Sequence, residues 1–68
     1  MDKKAAGNRI RRARRHLDIT QEQLAEATGL STSFVGHVER GTRMPSAETL
    51  YKICKVIEIT MEYAIAGE

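Results

Sequence analysis

Thr32, Ser33 and His37 share one short segment with Val35 and Val38. At 3.6 residues per turn the two valines fall on one side, and Thr32, Ser33, Gly36 and His37 fall on the other. Two hydroxyls and one imidazole can each donate and accept hydrogen bonds. A rod with an apolar side for docking and a small polar side left over suits the reading of base edges in a nucleic-acid groove. Other chemistry has little support. No nucleophile–base pair and no paired carboxylates occur at a useful spacing, so no enzyme is expected. His37 has no companion at ligand spacing, and no Cys/His cluster is present, so neither a metal nor a cofactor is expected.

The elements that would position this segment can be read from caps and periodicity. Residues 1–5 are expected to be a flexible tail, ahead of one domain over residues 6–67. Ile10, Ala13 and Leu17 recur at helical spacing and define a first helix over roughly 6–17. Thr20 with Gln23 three residues later reads as a capping box, opening a second helix over 21–28 that buries Leu24 and Ala25. Gly29 is its left-handed C-cap. Ser31 caps a third helix over 32–39, which Gly41 closes. Residues 42–45 form a loop, because Pro45 disfavours helix before it. Ser46 caps a fourth helix, where Leu50, Ile53, Cys54 and Ile57 recur at i, i+3, i+4 and i+7. Thr60 opens a last short helix carrying Met61, Ala64 and Ile65, ended by Gly67. No strand-like alternation survives, so the expected fold is all-α, a compact bundle of five helices.

Composition bounds what the bundle can be. Its 68 residues make one domain near the lower limit for folding without staples, and a single cysteine excludes an internal disulfide. No apolar run approaches the roughly 20 residues that span a bilayer, and the charged N-terminal stretch lacks the apolar run expected of a signal peptide. A cytoplasmic setting, with no membrane partner, is therefore expected. The net charge of +2 hides an asymmetry. Seven of the eleven basic residues (Lys3, Lys4, Arg9, Arg11, Arg12, Arg14 and Arg15) fall in the first sixteen positions, opposed only by Asp2. That segment carries +6 and the remaining chain −4. Such a split points to a polyanion partner, or more plainly to a solvated helix face.

A helix of about two turns is marginal alone, because nucleation costs more than so few hydrogen bonds return. Two of them joined by a tight turn gain a purpose as one rigid corner. The first abuts the phosphate backbone of double-stranded DNA and the second enters the major groove.

Residues 7–65 resemble the phage repressor and Cro type of helix-turn-helix, the Xre family of bacterial regulators. The residues that carry the resemblance are Ile10, Arg11 and Arg14, "TQEQLAEATGLS" over 20–31, "VERG" over 38–41, and Pro45, Ser46, Thr49, Leu50 and Ile53. The resemblance implies a lambda-repressor-like DNA-binding domain. It implies a sequence-specific transcriptional regulator or repressor, without enzyme activity, cofactor or small-molecule substrate, that binds a palindromic operator as a homodimer. It implies base contacts from Thr32, Ser33 and His37. Phosphate contacts are implied for Gln21, Phe34, Arg40, Thr42, Arg43 and Arg11. Arg14 and Glu39 match a pair that joins the first helix to the end of the third. A dimer surface is implied near Ile57, Ile59, Met61 and Tyr63.

Plainer roles stand beside each of these. Gln21 can be a helix N-terminal residue only, Thr32 and Ser33 capping residues only, and His37 an exposed side chain without a role. Phe34 can belong to the core, and Ile57, Ile59, Met61 and Tyr63 can finish the monomer core. The alternative function is a protein-interaction module of the same fold, an antitoxin or a regulator's partner. It is motivated by a reading face without the Arg, Gln or Asn that makes bidentate base contacts. For a DNA-binding protein the same poverty implies modest base discrimination or reliance on DNA shape.

Overall fold

The computed structural model describes residues 2–68. Within them five helices follow one another: α1 (Lys3–His16), α2 (Gln21–Thr28), α3 (Thr32–Arg40), α4 (Ala47–Ile57) and α5 (Met61–Ala66). All five have a side-chain N-cap. Thr20, Ser31, Ser46 and Thr60 accept from the backbone N–H three residues on, and Thr20 and Gln23 complete the expected capping box. Each such cap contributes about 1 kcal/mol.

The fifth cap corrects the expectation of a tail over 1–5. Asp2 accepts from the N–H groups of Lys4 and Ala5 at 3.0 and 3.1 Å, so residues 3–5 are the first turn of α1. Met1 lies outside the described residues. Ala6, at 1% exposure, anchors that turn in the interior. Ala6 lies four residues before Ile10 on the same face, so the apolar stripe of α1 extends one turn further toward the N-terminus.

The core is aliphatic. Ile10, Leu24, Val35, Leu50, Ile53 and Ile57 are buried, with Ala25, Val38, Cys54 and Ala64 between them. Each large side chain contributes about 1.5–3 kcal/mol by leaving water. Burial pushes the Cys54 thiol up from its ordinary range, so it stays neutral and packs as a small hydrophobe. α1 runs across α3, α4 and α5, while α2 packs on α3 and α4.

Backbone approaches backbone where α1 crosses α3. A Cβ on Gly7 would stand 2.3 Å from the Val38 carbonyl oxygen and 2.6 Å from that of Glu39, so no larger residue fits this crossing as it stands. Gly41, which ends α3 at φ +77°, similarly faces Lys4, whose Cα lies 2.6 Å from where a Cβ would be. The start of α1 thus lies beside the end of α3. α4 ends differently, on Glu58 at φ +61°, a left-handed position held without glycine.

Candidate nucleic-acid interface

The corner between α2 and α3 is made by Gly29, Leu30 and Ser31. Gly29 adopts φ +73° and the Leu30 N–H donates to the Ala25 carbonyl at 2.9 Å, closing α2. Ser31 Oγ then accepts from the Phe34 N–H at 3.0 Å and opens α3. Val35 and Val38 point into the core, at 1% and 3% exposure. Thr32 and Ser33 are exposed, and His37 is half-buried. α3 therefore has the division of faces that its sequence implies, with one exception. Gly36, expected on the outer side, is buried. The Arg40 guanidinium folds back over it, so a Cβ at 36 would stand 3.0 Å from Arg40 Nη1.

Arg14 and Glu39 form the lock behind this corner. Arg14 Nε donates to Glu39 Oε2 at 2.6 Å and Nη2 donates to Oε1 at 3.0 Å. Arg14 Nη1 donates to the Ile19 carbonyl at 2.7 Å, and Gln21 Nε2 donates to Glu39 Oε1 at 3.1 Å. Both charged residues are buried, at 8% and 5% exposure, so this is no surface pair. A bidentate fork in which each buried nitrogen and oxygen has at least one partner offsets the cost of removing two charges from water. Among the described residues no buried side-chain nitrogen or oxygen lacks a partner. The network ties α1, the link to α2, the first residue of α2 and the end of α3 to one another. Gln21 keeps one amide N–H beyond the one it gives to Glu39, at an N-terminus where α2 presents further N–H groups.

The other anticipated positions fall as follows. Arg11, Arg40 and Arg43 are exposed. Phe34 is half-buried against the core, with the Arg43 guanidinium 5.6 Å from its ring centre, so it serves core and surface together. Thr42 is exposed and also bonded within the chain. Its N–H donates to the His37 carbonyl at 3.0 Å, and its hydroxyl lies 3.1 Å from that carbonyl and 2.9 Å from His37 Nδ1. Of the expected dimer residues, Ile57 is a core residue at 2% exposure and has no surface to offer. Ile59 and Met61 are half-buried and Tyr63 is exposed.

Sequence reasoning missed three residues. Arg9 is not a free cation, because its Nη1 donates to the Ala64 and Ile65 carbonyls at 3.2 and 3.3 Å and caps the end of α5. Lys4 lies against Gly41, beside the loop that carries Arg43. Among the described residues Tyr51 is the most exposed large hydrophobic one, at 52%, off the buried stripe of α4. A tyrosine outside the i, i+3, i+4 pattern was the available signal. Among the described residues no group of His, Cys, Asp or Glu could hold a metal ion, and no helix is long and apolar enough to cross a membrane.

A capped two-helix corner backed by a buried arginine–glutamate fork defines a helix-turn-helix unit, and relatives agree. A helix-turn-helix family model matches residues 10–63. The HTH-type transcriptional regulator YazB of Bacillus subtilis is 39% identical over 62 residues, covering 91% of this chain and 90% of that protein. Two HTH-type regulators of Mycobacterium tuberculosis are 40% identical over 63 residues, and there the chain spans only 45% of their length. The restriction-modification controller protein C.AhdI from Aeromonas hydrophila superposes with a TM-score of 0.87 at 34% identity, covering 94% of this chain and 97% of that one. The P22 c2 repressor, solved in complex with a synthetic operator, gives 0.88 at 30% identity, covering 93% and 96%. The chain belongs to the helix-turn-helix family of DNA-binding transcriptional regulators, with the all-α lambda-repressor-like fold.

Proposed function

We propose that the protein is a cytoplasmic, sequence-specific regulator that binds a palindromic operator as a homodimer, with α3 in the major groove. The observation that carries this reading is the outer side of α3: Thr32 and Ser33 stand exposed, uncovered by the protein's own chain. His37 completes the base-facing set. Gln21 gives its free amide N–H to a phosphate at the α2 N-terminus. Arg40, Arg43 and Arg11 supply charge along the backbone, and Lys4 joins them from the start of α1. Phe34 packs its ring edge beside the sugar–phosphate chain. The relative solved on a synthetic operator supports the same mode of binding.

The second copy docks through the end of the bundle away from α2. Tyr51, Ile59 and Met61 line one depression there and Ile59 and Tyr63 border the next, and Tyr51 replaces the buried Ile57 of the sequence expectation. A two-fold arrangement places the two α3 helices about 34–36 Å apart, one turn of DNA.

The test is selection of bound sequences from random DNA, then a fluorescence anisotropy titration on the winner. With 6–10 phosphates neutralised per dimer, affinity falls about 10³–10⁵-fold between 50 and 200 mM salt. Sedimentation of the complex reads two chains per selected site. Salt-insensitive binding, or selection that returns no palindrome, would reject the proposal.

A further inference from the structure

His37 and Thr42 form a closed pair at the edge of the reading side. Gly41, at φ +77°, reverses the chain so that Thr42 returns onto the last turn of α3. Thr42 Oγ1 then stands 2.9 Å from His37 Nδ1 and 3.1 Å from the His37 carbonyl oxygen. A threonine hydroxyl carries one proton. When that proton goes to the carbonyl, the contact with the ring is a hydrogen bond only if Nδ1 is the donor. Nδ1 then bears the proton of the neutral imidazole, and Nε2 is left with a bare lone pair. The Thr42 backbone N–H reaches the same carbonyl at 3.0 Å, so the residue that orients the ring is itself held in place.

We propose that Thr42 is a positioning residue for base recognition. It holds His37 as the Nδ1–H tautomer, so that Nε2 accepts a hydrogen bond from an exocyclic amino group in the major groove, N6 of adenine or N4 of cytosine. The proposal rests on the reading of α3 as the groove helix. A bare Nε2 cannot bond O6 or N7 of guanine or O4 of thymine, which are acceptors themselves. The weak polar inventory of α3 thereby gains a defined direction. One fixed acceptor discriminates where a ring free to exchange tautomers would accept either kind of edge.

Two measurements test it, the first without DNA. Long-range ¹⁵N correlation spectra of the free protein, taken well above the ordinary imidazole titration range, report which ring nitrogen carries the proton. His37 is expected with Nδ1 protonated. Thr42→Ser keeps that signature, and Thr42→Val loses it. A His37 protonated on Nε2 in the unsubstituted protein overturns the proposal, whatever the protein binds.

The second measurement uses the selected operator. The position whose preference disappears in His37→Ala marks the contacted base. Replacing an adenine there by purine deletes N6, and replacing a cytosine by 2-pyrimidinone deletes N4. One deletion is expected to weaken binding about 2- to 10-fold, the scale of one neutral hydrogen bond, and so to name the base. In Thr42→Val the same deletion has a smaller effect, and Thr42→Ser restores it. Equal affinity with and without the amino group overturns the proposal and leaves the groove reading of α3 standing. Absence of any operator binding overturns both.

Discussion

The α1–α3 corner and the α4–α5 end are built on different physics. At the corner, direction dominates. A bidentate Arg14–Glu39 fork, a third Arg14 bond to the Ile19 carbonyl and a Gln21 bond to Glu39 fix four segments, and Gly7 lets two backbones touch. At the far end, Ile53, Ile57 and Ala64 pack without directional partners, α5 has only six residues, and one side chain, Arg9, closes it. Hydrogen-bonded charges have one good geometry, whereas aliphatic contacts tolerate small shifts. The proposed groove helix, α3, has the first kind of support, which a helix meeting base edges needs. The proposed surface for a second copy rests on the second kind, with Tyr51 and Tyr63 left exposed.

The contrast breaks most readily at Glu39. Glu39→Ala strands the Arg14 charge in a buried site and is expected to cost about 3–5 kcal/mol, a large part of what a domain this small possesses. Urea denaturation measures it, and a loss below about 1 kcal/mol would mean that packing alone holds the corner. Gly7→Ala comes next. Its methyl must push α1 away from the Val38 and Glu39 carbonyls, at about 1–3 kcal/mol, and operator affinity should fall as α3 shifts. The smallest effect is expected at the other end. Arg9→Met removes two part-buried bonds to α5 and should cost about 1 kcal/mol. Hydrogen exchange should then quicken in α5 while α1 and α3 keep their protection. Equal losses at Arg9 and Glu39 would erase the distinction between the two regions.

Local interactions were readable in the sequence. The Thr20, Ser31, Ser46 and Thr60 caps each span three residues, and the stripe on α4 repeats within one helix, so both appear as spacing. The Arg14–Glu39 pair spans 25 residues and was readable only through family resemblance. Arg9 spans 55 residues to its carbonyl partner, and no pattern along the chain announces such a bond. The charge count went astray for the same reason. Arg9 and Arg14 are engaged inside the fold, which leaves Lys3, Lys4, Arg11, Arg12 and Arg15 as the exposed cations of α1. Gly36 was misplaced because a glycine has no side chain to declare a face, and what covers it is an arginine four residues on. The contact of Thr42 with His37 was not legible, because it exists only where the turn at Gly41 brings the chain back onto α3.

The contact between Lys4 and Gly41 has a practical corollary for anyone who labels this molecule. A fluorophore attached at Lys4 would ride alongside the last turn of α3, in the space the proposed duplex would fill. The same attachment at the carboxyl end, past Gly67, would emerge near Arg9 on the middle of α1. On the proposed mode of binding, the choice of attachment point thus decides whether the probe reports on operator binding or obstructs it.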